Sequence, residues 1–204
     1  MAQDLTYQDS PLESRLEQYE WDRMWIEDTT NKDAKRVLYV GDSISNGTFS
    51  HATVAAERRI LFNNFATSKA LDNPFFYPAV KMFIEQCPKH DAIIFNNGLH
   101  GWHLSEEEYG KLYLKFINKL KADYPETPVY LVLTTATEGR ENSPRVATRN
   151  EEAKKVAAEL GLGVIDLYQA SLDNATLLAK DGVHFSPDGY SALGRCVVDS
   201  LAEI

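Results

Sequence analysis

A serine, two adjacent asparagines, an aspartate and a histidine stand where this chain is best placed to do chemistry. Ser43 lies in Gly41-Asp42-Ser43-Ile44-Ser45, directly after the apolar run Val37-Leu38-Tyr39-Val40. Asn96-Asn97-Gly98 ends the apolar run Ala92-Ile93-Ile94-Phe95, and Asp181-Gly182-Val183-His184 precedes the last helical pattern. Acyl transfer needs a nucleophile, a base for its proton, a group that orients the base, and donors for the oxyanion. Ser43 can be the nucleophile. His184 can be the base, because a neutral imidazole accepts a proton near neutral pH. Asp181, three residues earlier on a turn, can take Nδ1–H of that imidazole and fix its tautomer. Asn96 can offer its side-chain amide to the oxyanion, with the backbone N–H of Ser43 at a helix start as a second donor. Taken singly, each residue has a plainer use as a helix cap, a strand end or a turn former.

These residues converge only if the elements before them share one edge. Short apolar runs at Arg36–Val40, Arg59–Asn63, Asp91–Phe95, Pro128–Leu133 and Val164–Leu167 read as strands. Helical patterns alternate with them, the clearest being Tyr109, Leu112, Tyr113, Phe116, Ile117 and Leu120 behind a Ser105/Glu108 capping box. The segment from Ile44 to Arg58 holds Gly47 and Ser50 and reads as a short or broken helix. Five alternations of strand and helix predict a parallel sheet covered on both faces, a three-layer α/β/α arrangement with right-handed crossovers. The C-terminal ends of parallel strands share one edge, where an open α/β sheet places its ligands.

Ahead of the first strand, Ser10-Pro11-Leu12-Glu13 reads as a helix start, followed by Leu12, Leu16, Tyr19, Arg23 and Ile26 at helical spacing. Residues 1–33 therefore read as a helical extension packed on one domain that spans residues 1–204, with Trp21 or Trp25 as an alternative wall of the substrate cleft. The net charge of −9 argues against a nucleic-acid partner, which needs a basic face. No apolar run approaches the roughly 18 residues of a membrane span. Two cysteines, Cys87 and Cys196, are too few for a disulfide scaffold and read as buried free thiols. Residues 1–10 are polar and hold no signal-like apolar core, which suits a cytoplasmic chain or an exported one whose signal lies outside this sequence.

Gly41-Asp42-Ser43-Ile44-Ser45 resembles the first sequence block of the SGNH, or GDSL-type, hydrolases, with Ser43 at the nucleophile. Asp181-Gly182-Val183-His184-Phe185-Ser186-Pro187 resembles the last block, with the orienting Asp and the catalytic His. The resemblance covers about residues 36 to 204 and rests on two blocks that are specific when they occur together in this order. It implies a flavodoxin-like fold with a five-stranded parallel sheet, and hydrolysis of esters or thioesters without a metal or cofactor. Two inner blocks depart from the family pattern. Asn64-Phe65-Ala66-Thr67-Ser68-Lys69 puts Lys69, or else Ala66, where a family glycine lends its N–H to the oxyanion, and Ser68 offers its hydroxyl instead. The block Gly-x-Asn-Asp becomes Phe95-Asn96-Asn97-Gly98, with Asn96 favoured as the donor and Asn97 as the fallback.

His100 and His103 flank Trp102 on the loop after the third strand. The spacing suggests a metal pair, but a third ligand is missing, so no metal site is expected. His100 and Trp102 are candidates for lining a cleft, where Trp102 could stack on a sugar or pack on an acyl chain. Of Arg140, Arg145 and Arg149, at least two read as solvated surface. The expected substrate is a small-molecule or glycan ester with a short acyl group, such as O-acetyl on carbohydrate. A lipid esterase or thioesterase, or a non-catalytic glycan-binding module on the same fold, are the alternatives. The oligomeric state is not written in the sequence.

Overall fold

A computed structural model of the chain describes residues 16–201. Its sheet has six strands, β1 (Asp22–Trp25), β2 (Lys35–Gly41), β3 (Ile60–Thr67), β4 (Ala92–Phe95), β5 (Val129–Val132) and β6 (Gly163–Ile165), in the order β1-β3-β2-β4-β5-β6. The last five run parallel, and β1 is antiparallel to β3. The helices are α1 (Ser43–Ala55), α2 (Phe76–Gln86), α3 (Glu106–Asp123), α4 (Ser143–Leu160), α5 (Leu167–Asp173) and α6 (Pro187–Asp199).

The period of two along the strands sorts the core into two layers. Val37 and Tyr39 of β2, with Ala92 and Ile94 of β4, face Ile44 and Phe49 of α1 and Leu193 and Val197 of α6. Leu38 and Val40, with Ile93 and Phe95, face Phe76 and Val80 of α2, Phe116 and Ile117 of α3, and Ala153 and Val156 of α4. Strands buried on both faces read as continuous apolar runs, which is how β2 and β4 stand in the sequence. The parallel strands reverse their direction of growth at β2, between β3 and β4, so the crevice of this doubly wound sheet opens beyond the ends of β2 and β4.

Four local expectations need correction. The helical reading of the N-terminal extension fails at Asp22–Trp25, which pairs with Asn64–Thr67 as an edge strand whose four residues are all exposed. Its Leu16 and Tyr19 are exposed rather than a buried stripe. The open side of β3 supplies the missing cause: an eight-residue strand with unpaired N–H and C=O groups captures the passing chain. The capping box at Ser10–Glu13 lies outside the described residues. The segment after Ile44 is an unbroken 13-residue helix; Gly47 sits there because a Cβ would come within 2.2 Å of the Tyr190 ring. After β6, Asp166 caps α5 through Gln169 N–H (2.8 Å), an element the strand-like reading of Val164–Leu167 missed. Cys87 and Cys196 are free thiols and half-buried rather than buried.

Candidate active site

Ser43 is the first residue of α1, two residues past the end of β2. The turn is tight: a Cβ on Gly41 would lie 2.7 Å from Ser45 Cβ. Asp42 caps the helix, its Oδ1 accepting Ile44 N–H (2.8 Å). The N–H of Ser43 itself belongs to the first turn, which has no i−4 carbonyl to bond.

The turn before α6 meets Ser43 from across the crevice. His184 Nε2 is 2.8 Å from Ser43 Oγ, and His184 Nδ1 is 2.7 Å from Asp181 Oδ2. The other oxygen, Asp181 Oδ1, accepts the N–H groups of Val183 and His184 (both 2.9 Å). The bond to His184 first, and these two N–H groups next, hold the exposed Asp181 carboxyl well below the usual carboxylate range. An ionised carboxylate only accepts, so the proton of the neutral ring sits on Nδ1 and Nε2 faces Ser43 as an acceptor. Gly182 makes the turn possible, with φ +73° and no room for a Cβ 1.9 Å from Glu138 O. The loop after β5 braces it: Glu138 N–H donates to Gly182 O (2.8 Å), and Arg140 Nε to Asp181 O (2.9 Å).

The oxyanion side differs from the sequence expectation. Asn96 Nδ2 donates to Val132 O (2.7 Å) and Thr134 Oγ1 (2.9 Å), and its Oδ1 accepts Gly98 N–H (3.3 Å). Both amide hydrogens are taken, so Asn96 ties β4 to β5 and has none left to offer an oxyanion. Asn97 is fully buried and gives one amide hydrogen to Lys69 O (2.9 Å). Its second hydrogen has no partner among the described residues. The register sets Val40 beside Phe95 and Gly41 beside Ala66, so the turn that carries Ser43 and the loop that carries Asn97 leave the same edge of the sheet.

Lys69 N–H is taken by Thr67 Oγ1 (3.0 Å), and its ammonium pairs with Asp22 (2.7 Å). Ala66, the alternative, lies inside β3 between Arg23 and Gly41. Ser68 is buried; its Oγ accepts Trp21 N–H (2.9 Å) and its N–H donates to Trp21 O (3.1 Å). Ser68 therefore fastens the entry to β1 and does not line a cleft. His100 also faces the N-terminal segment, 3.7 Å from Glu17 Oε1 and edge-on to Trp21. His103 bonds Asp72 (2.8 Å).

Trp102 does line a cleft, a cavity of about 360 Å³ that it shares with Leu99, Thr137, Arg140, Glu141, Asn142 and Val183. Val183 adjoins His184, so the cleft lies on the histidine side of Ser43. Neither Trp21 nor Trp25 contributes to its wall. Among the described residues, no cluster of three or more His, Cys, Asp or Glu could hold a metal ion, and no helix is long and apolar enough to cross a membrane.

Two of the three arginines are not solvated surface. Arg145 is half-buried, pairs with Glu106 (2.6 Å) and donates to Trp102 O (2.8 Å) and Leu104 O (2.6 Å). Arg149 is fully buried, donates to Gly98 O, His100 O and Gly101 O, and packs its guanidinium 4.0 Å from the Trp102 ring centre. Its spacing held the signal: Val146, Arg149, Ala153, Val156 and Ala157 form one buried stripe of α4.

Residues 89–192 match the model of the GDSL-like lipase/acylhydrolase family. The matched stretch includes Asn96, Asn97, Asp181 and His184 and begins after Ser43. A search of curated proteins gives no match. Among solved structures, the chain is similar to a member of the lipolytic protein G-D-S-L family from Veillonella parvula DSM 2008, with TM-score 0.68 and 15% identity over 84% of this chain and 100% of that one. It is similar to the lipase/acylhydrolase from Enterococcus faecalis, with TM-score 0.66 and 18% identity over 82% and 95%. It is also similar to a variant of an acetyl-xylooligosaccharide esterase from Geobacillus Stearmophilus, with TM-score 0.64 and 16% identity over 85% and 98%. At these identities the likeness speaks for the fold.

Proposed function

From the premise that this chain belongs to the GDSL-like lipase/acylhydrolase family and is an ester hydrolase, we propose that it removes short acyl groups from a carbohydrate-like alcohol through an acyl-enzyme on Ser43. The observation that carries this reading is the chain of two short hydrogen bonds, Ser43 Oγ to His184 Nε2 (2.8 Å) and His184 Nδ1 to Asp181 Oδ2 (2.7 Å). Ser43 Oγ attacks the ester carbonyl carbon as its proton passes to Nε2. The carbonyl oxygen becomes an oxyanion, met by the Ser43 N–H and the second amide hydrogen of Asn97. Collapse expels the alcohol, which takes the proton from Nε2. Water then gives a proton to Nε2 and its oxygen to the acyl carbon, and the returning proton releases the acid and restores Ser43. Asp181 stays ionised throughout and stabilises the imidazolium that forms twice in the cycle.

The cleft supports the substrate class. The alcohol departs on the histidine side, where Arg140, Glu141, Asn142 and Thr137 offer donors and acceptors beside the apolar Leu99 and Val183 and the ring of Trp102. Few convergent polar groups around apolar walls suit a hydroxylated ring. The similar fold of an acetyl-xylooligosaccharide esterase adds support for an acetylated sugar. The test is hydrolysis of 4-nitrophenyl acetate by the wild type and by Ser43→Ala, both confirmed folded. We expect turnover by the wild type and its loss in the variant. Equal rates would mean that another group does the chemistry. A series of nitrophenyl esters should peak at the shortest acyl chains, and a long-chain optimum would move the substrate to lipids.

A further inference from the structure

We propose that Arg149, a residue remote from the reacting atoms, is a positioning residue for the oxyanion donor Asn97 and for the cleft wall Trp102. The inference rests on the serine-esterase reading above. Asn97 stands between two anchored neighbours. Asn96 is bonded to Val132 and Thr134 on one side. On the other, Arg149 Nη1 grips Gly98 O (3.1 Å) and His100 O (2.5 Å), and Nη2 grips Gly101 O (2.7 Å). Three carbonyls within four residues thus converge on one guanidinium. The loop takes this path closely: a Cβ on Gly98 would lie 1.7 Å from Thr134 Oγ1, and Gly101 has φ +68°.

The same guanidinium serves the cleft. Its carbon lies 4.0 Å from the Trp102 ring centre and 4.6 Å from that of Tyr109. One planar cation therefore sets both the loop that carries Asn97 and the ring that walls the cleft. Lysine could not do this, because an ammonium has neither the flat face nor the fork that reaches three acceptors at once.

Its three hydrogen bonds and two ring contacts are set against a large desolvation cost, so stability is a weak account of this residue. Arg149 is fully buried, and among the described residues its Nε has no hydrogen-bond partner, with Glu106 Oε1 standing 3.8 Å away. Burial pulls its ionisation down to about 10, the mark of an ill-solvated cation. Apolar residues in such a place are often as stable or more so. A cation kept there at that cost is explained by the geometry it imposes on the carbonyls after β4.

The experiment compares wild type, Arg149→Lys and Arg149→Met with 4-nitrophenyl acetate. A fluorophosphonate that labels the active serine counts working sites, so misfolded molecules drop out of the comparison. We expect kcat per labelled site to fall at least tenfold in both variants, with KM changed less than threefold and the acid limb of the pH profile unmoved. Failure of Lys to rescue would mark the fork rather than the charge. A loss confined to the number of labelled sites, with normal turnover at each, would make Arg149 merely structural and overturn the inference. A wild type that neither turns over the ester nor takes the label at Ser43 would fell the parent reading, and this one with it.

Discussion

Asn97 and Asn96 are neighbours of identical chemistry whose uses diverge through their hydrogen bonds. Asn96 has both amide hydrogens in bonds to β5 and its connecting loop, whereas Asn97 keeps one free of partners among the described residues. Asn97→Ala should lower kcat by about 10²–10³, the usual effect of one oxyanion donor, with a smaller loss of Tm than Asn96→Ala, since it gives up one hydrogen bond, to Lys69 O, rather than two. Asn96→Ala should instead leave Val132 O and Thr134 Oγ1 short of a donor and cost about 1–3 kcal/mol of stability. Kinetics and thermal melts on the two variants check this, and the reverse pattern would return the donor role to Asn96. Sequence reasoning ranked the pair the other way, because the deciding acceptors lie 36 and 38 residues away. Ser43, Asp181 and His184 were legible because each sits in a short contiguous block that also writes its own turn. Lys69 and Ser68 were not: Thr67 Oγ1 and the backbone of Trp21 claim them, and neither claim shows in local pattern.

At the scale of elements, the site depends on how closely two helices approach. α1 begins with Ser43 and α6 begins three residues after His184. They pack almost backbone to backbone: a Cβ on Gly194 of α6 would lie 2.8 Å from Ala52 N and from the carbonyl carbon of His51 on α1. No side-chain rotation relieves that contact. Gly194→Ala should therefore push the helices apart, costing about 1–3 kcal/mol as overpacking despite the roughly 1 kcal/mol that alanine adds to helix propensity. Because Ser43 and His184 stand on opposite sides of the seam, kcat should fall as well. Melting temperature and turnover test this together, and a stabilised, fully active variant would show slack in the seam. The five parallel strands were readable from composition, since burial on both faces leaves apolar runs. The antiparallel β1 was not, because its four residues are exposed and its cause is the open edge of β3. α5 escaped because it is only seven residues long.

For the molecule as a whole, the buried pair of His90 and Asn63 sets an acid limit on stability. His90, next to the start of β4, is buried, and its Nε2 is 2.9 Å from Asn63 Nδ2 in the core of β3. An amide nitrogen only donates, so His90 must accept there, which the neutral ring alone can do. Burial first, and the neighbouring Arg36 guanidinium next, push its ionisation down to about 4, with Asp91 opposing them weakly. The unfolded chain takes up this proton near pH 6.5, and the folded one resists until about pH 4. The sign follows from proton uptake. Above about pH 6.5 both states are neutral at this site and the fold keeps its full stability. As pH falls, the unfolded state binds the extra proton, and stability drops until about pH 4, where both states are charged. A shift of this size amounts to about 3 kcal/mol. Urea midpoints for the wild type should fall between pH 7 and pH 4.5. His90→Gln, which still offers an oxygen to Asn63 but does not titrate, should flatten that fall even where it starts from lower stability. Since β4 leads straight from His90 to Asn96 and Asn97, loss of activity on acidification would then have two sources. One lies at the Ser43–His184 pair of the intact fold, the other in the stability lost at His90. Acid inactivation that persists after return to neutral pH, and that His90→Gln resists, assigns the second.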